Sequence, residues 1–142
     1  MLDAALFLDA QESSYASALA EISAGAKRGH WMWYVFPQVA GLGRSEMAQR
    51  YAIGSVSDAR EYLAHPVLGQ RLRDCVGALQ DLPPTTAIKV FGQIDAIKLR
   101  SCLTLFIEAG AGRSFEAALE RWFNGEPDPV TLQILKASLE VR

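Results

Sequence analysis

A chain of 142 residues, 50% hydrophobic and 21% charged, suits one domain with a buried core, expected to span residues 1–142. It is too apolar to be disordered, and its net charge of −2 weighs against a dedicated nucleic-acid binder, which carries a basic excess. No stretch approaches the roughly 20 apolar residues of a membrane span, and the opening MLDAALFLDAQESS lacks the basic start and apolar run of a secretory signal, so the expected location is the cytoplasm.

In chain order, residues 3–10 suit a short helix. Residues 14–24 place Tyr15, Ala18, Leu19 and Ile22 on one stripe, and Gly25 ends that helix. The stretch 34–36 is too short to anchor a sheet, and 45–52 forms a short helix carrying Met47 and Tyr51. Ser57 is the expected cap of a helix running to Leu63, with Asp58 favourable at its positive end. Pro66 then suits the first turn of a helix that holds Val67, Leu68, Leu72, Val76 and Leu79 and stops at Pro83-Pro84. His65, just before that proline, reads as a capping or structural residue.

Residues 85–91 fit either a helix or an extended segment. Asp95 is the expected cap for 96–108, where Ala96, Leu99, Leu103 and Phe106 form an apolar stripe. Ser114 is the expected cap for 114–124, and Asp128-Pro129 opens the last helix with Leu132 and Leu135 inward. The pattern predicts an all-α fold: a single compact multi-helix domain of about six to eight helices. Cys75 and Cys102 lie far apart within helical patterns and read as free thiols. Two cysteines and two histidines without ligand spacing predict no metal site, and no cofactor motif is present.

The segment Lys27–Ser45, KRGHWMWYVFPQVAGLGRS, stands apart from these helices. Two of the three tryptophans, a tyrosine, a phenylalanine, a histidine and a glutamine fall between His30 and Gln38. Trp31, Trp33 and Phe36 offer apolar area, and each would equally serve as core. His30 and Gln38 are harder to assign to a core: imidazole serves as acid, base or anion donor near neutral pH, and a primary amide both donates and accepts. The following GLGRS allows a tight turn at Gly41 and Gly43 with Ser45 capping the next helix. A second reading aims its N–H groups at an anion, with Arg44 adding charge. A polar ridge on 91–106 carries Asp95, Lys98 and Ser101, and would supply a cation and a hydroxyl to the same site. The bland alternative is a solvated pair of helix charges.

The strings K-x-x-H-W-M-W-x-x-F-P-Q-x-x-G-L-G-x-S (27–45), Y-L-x-H-P-V-L-G-x-R-L (62–72) and F-G-x-x-D-x-x-K-L-x-S (91–101), with Y-A-I at 51–53 and T-L-F at 104–106, resemble one family closely. It is the domain of unknown function 1810 family, some of whose members carry a calpastatin-like label. The resemblance runs from Phe7 to Leu135 and implies a mainly helical domain without implying an activity.

The sequence therefore points first to a small-molecule site for a polar or anionic ligand. Lys27, Trp31, Trp33, Phe36, Gln38, Gly41, Gly43, Ser45, Asp95, Lys98 and Ser101 are its candidate contacts. His30 is the first choice for acid–base work if a reaction occurs there. The alternative is a protein-interaction domain that exposes Trp31 or Trp33 on a convex face. A third reading has Lys27, Arg28 and Arg44 tracking nucleic-acid phosphates, which the acidic balance disfavours.

Overall fold

Short polar side chains decide where five of the ten helices begin. The structure is a computed structural model and describes residues 1–140, with side chains described through Ser138. The Asp3 carboxylate accepts from the Leu6 amide to start α1 (Ala4–Glu12). α2 (Tyr15–Ser23) and the single turn α3 (Met32–Val35) follow. Ser45 caps α4 (Glu46–Arg50), Ser55 caps α5 (Val56–Ala64) and Thr86 caps α7 (Ala87–Phe91). Asp128 accepts from the Thr131 amide at the start of α10 (Pro129–Glu140). Each such bond satisfies an amide the helix cannot, worth about 1 kcal/mol. α6 (Leu68–Gln80) has a less usual start: the His65 imidazole Nδ1 accepts from the amides of Val67 and Leu68, each at 3.2 Å.

Three expected caps are displaced. α5 begins at Ser55, whose extended backbone aims its hydroxyl at the Asp58 amide, so Ser57 lies inside the first turn. α9 (Arg113–Phe123) opens at Gly112 instead of at Ser114. α8 (Gln93–Glu108) opens at Gly92, three residues before Asp95. Gly92 takes φ +82°, a conformation that lets the chain leave α7 and restart at once as α8. Asp95 is thereby moved into the first turn, where its carboxylate is released from capping.

Ten helices exceed the expected six to eight among the described residues. The surplus is α3, of four residues and not expected, and α7, of five residues in a segment that fitted helix or extended chain. Helices this short have no stability of their own and too few residues to show a period; packing forms them. No strand occurs among the described residues, but Val39 and Ile53 form one parallel bridge. The Ala40 amide donates to the Ile53 carbonyl and the Ile53 amide to the Gln38 carbonyl, both at 2.8 Å.

α8 is the spine of the fold and packs against α5, α7, α9 and α10, while α6 packs against α1, α2, α5 and α9. From Ser101 to Phe106 every α8 residue is buried, the mark of a helix enclosed on all sides. Its hydroxyls there are spent locally. Ser101 donates to the Ile97 carbonyl, and Thr104 donates to the Arg100 carbonyl while accepting from the Asp128 amide. The other end of α8 emerges at the surface, with Gln93, Ile94 and Ile97 exposed. In α10, Leu135 is buried as expected, whereas Leu132 is half-buried and Thr131 takes the inner position. No helix among the described residues is long and apolar enough to cross a membrane.

Candidate functional site

A carboxylate on α2 shapes the chain that leads into the aromatic segment. Glu21 accepts hydrogen bonds from the amides of Arg28 and Gly29, at 2.7 and 2.8 Å, and from the Trp31 indole at 3.0 Å. These donors, Gly29 foremost, hold its carboxyl below the usual carboxylate range. The Lys27 amide donates to the Val90 carbonyl at 2.8 Å, which ties this loop to α7. Gly29 has no room for a side chain: a β-carbon there would stand 2.8 Å from the Trp31 ring. The loop is thus fixed by hydrogen bonds and close packing together.

The fixed loop places Lys27 against the exposed end of α8. The Lys27 side chain is only 7% exposed, and its ammonium lies 2.8 Å from the Asp95 carboxylate. It also donates to the Gly29 carbonyl and sits 4.9 Å from the Trp31 ring centre. Lys98 approaches the other Asp95 oxygen at 3.4 Å and lies 4.9 Å from the Trp33 ring centre. Two ammoniums therefore share the Asp95 carboxylate, and Lys27 also interacts with that of Glu21. Lys27 is spent on its partners. Lys98, with one long ion pair and greater exposure, keeps donors to offer.

This cluster lines a cleft of about 470 Å³ with Met32, Trp33, Phe91, Gly92, Gln93 and Ile94, and with His30. The size falls within the range of small-ligand sites. No side chain caps the N-terminus of the 16-residue α8, and Gly92, Gln93 and Ile94 at that positive end line the same space. His30 stands exposed at the rim.

The structure brings together Lys27, His30, Trp33, Asp95 and Lys98. It separates the other candidates. Trp31 and Phe36 are buried and pack with Phe91 as an aromatic trio, their ring centres 6.0 to 6.5 Å apart. Burial of Trp31 removes one of the two exposed tryptophans that a convex aromatic patch was expected to offer, and Trp33 is itself partly covered. Gln38 lies beside a different space, of about 10 Å³, lined also by Trp33, Val39, Gly43, Ala48 and Tyr51. That holds a water and no more.

Gly41, Gly43 and Ser45 make a turn and a cap. Gly41 takes φ +99°, a β-carbon on Gly43 would collide with Ala48, and the Ser45 hydroxyl accepts from the Ala48 amide at 3.1 Å. Ser101 is buried and bonded within its own helix. Cys75 and Cys102 are free and buried; burial pushes the Cys75 thiol up to about 12 and the Cys102 thiol well above its ordinary value, so neither offers a thiolate at neutral pH.

Sequence reasoning missed Glu21, Met32, Phe91, Gln93 and Ile94. The Phe91-Gly92 break was a usable signal, since a glycine three residues before an acid beginning a helix marks an open N-terminus. Nothing in the sequence marked Glu21, whose partners lie 7 to 10 residues away across a turn.

Comparison with known proteins agrees with this fold. Residues 1–135 match the family described as Protein of unknown function (DUF1810). The crystal structure of the conserved hypothetical protein Rv1873 from Mycobacterium tuberculosis is similar, with a TM-score of 0.90 and 43% sequence identity, over 92% of this chain and 94% of that one. No curated protein matches. With the match running from the first helix into the last, this chain belongs to the DUF1810 family.

Proposed function

We propose that the cleft between the Lys27–Trp33 loop and the first turn of α8 recognises an anionic group on a ligand. The observation that supports this reading is the pair of lysines sharing Asp95. Lys27 makes the short contact to Asp95 and also interacts with the Glu21 carboxylate, whereas Lys98 has only the 3.4 Å contact and is the cation with donors to spare. The ligand's anion replaces the long Lys98–Asp95 contact, and Lys27 holds Asp95 in place meanwhile. Trp33 and Ile94 supply apolar area for the rest of the ligand, over a floor of buried Met32 and Phe91. The Trp33 face nearest Lys98 is already covered by that ammonium, so Trp33 acts as a wall more than as a stacking platform.

His30 at the rim adds a donor to an anion when protonated. Among the described residues no carboxylate lies against its ring, so the reading is one of binding. The test is a titration of the protein with sodium phosphate and with a nucleoside monophosphate, followed by tryptophan fluorescence. Binding that falls about tenfold in Lys98→Ala is expected, as for loss of a charge-assisted contact. Equal binding by the parent and Lys98→Ala would discard the site.

A further inference from the structure

A second cavity adjoins the cleft. It is a groove of about 350 Å³ whose lining includes Ile88, Ile97, Trp122 and Phe123, with Arg100. Gln93 lines both cavities. Around them stand three isoleucines that the core does not use: Ile88 is 61% exposed, Ile94 71% and Ile97 59%. α7 and α8 thus present a cluster of β-branched apolar side chains to water within a few residues of the Asp95 lysines. Scattered exposed isoleucines are ordinary; three grouped beside a concave surface mark a contact region.

The two cavities differ in chemistry, and the difference specifies an occupant. The cleft carries the Lys98 ammonium, whose one ion pair is the 3.4 Å contact to Asp95. The groove carries two aromatic and two isoleucine side chains and no carboxylate, its one charged lining residue being Arg100. That guanidinium is held by the Glu126 and Pro127 carbonyls, at 2.7 and 3.0 Å. An occupant of both has a negative end followed by apolar groups. Where the two parts meet stands the exposed amide of Gln93. A hydrocarbon chain laid across it would cover two donors and an acceptor without replacing their water. A peptide bond offers a carbonyl and an N–H to the same amide.

Resting on the reading of the cleft as an anion site, we infer that cleft and groove together dock the C-terminal end of a partner polypeptide. Its terminal carboxylate meets Lys98, its last peptide bond meets Gln93, and its apolar side chains lie against Ile97, Trp122 and Phe123. Charge complementarity selects the free chain end over an internal segment, which has no carboxylate at that place.

The test uses the full chain and a fluorescein-labelled six-residue peptide ending in two leucines, made as the free acid and as the C-terminal amide. The free acid is expected to bind about tenfold tighter than the amide, and Lys98→Ala to abolish that difference. Ile97→Ser, a change at an exposed position that leaves folding intact, is expected to weaken the free acid severalfold while leaving phosphate binding unchanged. Equal binding of acid and amide, or an Ile97→Ser variant that binds as the parent does, overturns the inference. So does absence of peptide binding. If phosphate still reports through Lys98 in that case, the anion site stands and only the peptide reading falls; if both are silent, both fall. Sedimentation of the unliganded protein covers the remaining occupant: self-association lost in Ile97→Ser assigns the groove to a second copy and overturns the peptide reading.

Discussion

The two halves of the aromatic segment have similar compositions and opposite fates. Lys27–Trp33 lines a cleft, whereas Phe36–Ser45 closes into core, bridge and turn. Both contain aromatics, glycines and hydrogen-bonding side chains. In the second half Phe36 is fully buried, the backbone at Gln38 and Ala40 pairs with Ile53, and Ser45 caps α4. Beside the first half, Lys98 keeps donors at the cleft. The lesson is that residue types alone do not mark a site; polar capacity left unspent beside a concave surface does.

Substitutions can break or sharpen this contrast. The largest effect is expected from Phe36→Ala, which empties the centre of the aromatic trio and costs about 3–5 kcal/mol in urea unfolding. Any ligand response should survive in the fraction that stays folded, because Phe36 does not reach the cleft.

Lys27→Met comes next, at about 2–3 kcal/mol, since it leaves a mostly buried Asp95 carboxylate with only the longer 3.4 Å contact to Lys98. Unlike Phe36→Ala it should also weaken anion binding. A Lys27→Met protein with parental stability would mean that the pair is merely solvated.

Glu21→Gln is expected to cost about 1–2 kcal/mol at neutral pH, discounted for its solvent-facing side. Its folded pKa lies below the unfolded value of about 4.3. The charge therefore stabilises the fold fully above that value, and the contribution fades as pH falls through the lower folded one. Unfolding curves at pH 7 and pH 3 should show the gap between parent and Glu21→Gln shrinking toward acid. A gap that widens would contradict the proposed role of its charge.

The smallest effects are the most diagnostic. Ser45→Ala should cost about 1 kcal/mol through the lost cap, with anion binding untouched. Lys98→Ala should cost about 0.5 kcal/mol, as a partly exposed i, i+3 pair does, yet weaken anion binding about tenfold. If the two variants exchange these phenotypes, the glycine turn is the site and the cleft is not.

Much of the fold was legible because long helices advertise themselves. The stripe on α2, the apolar run on α8 and the Asp128-Pro129 start all lie where periodicity and capping chemistry place them. Of the short helices, α4 was legible from its Ser45 cap, but α3 was not expected and α7 fitted helix or extended chain equally, since four or five residues carry no period. The site was half legible. Lys27, His30 and Trp33 stand out within one window, and Asp95 and Lys98 share a helix face, but their meeting depends on the loop that Glu21 ties down. Ser101 looked equivalent to Lys98 on the same helix, and burial in the enclosed part of α8 sets it apart.

By itself, then, the sequence determined the helical class, the starts of α1, α2, α4 and α10 and the identity of the charged and aromatic groups, because these follow from local hydrogen bonding and from apolar spacing along one chain. Only the tertiary structure decided which of those groups share a space and which are consumed. Lys27 joins Asp95 and Lys98, 68 and 71 residues further on, in one cluster through packing of a loop against a helix end, and whether a donor is left over is a sum over neighbours that no single stretch of chain contains.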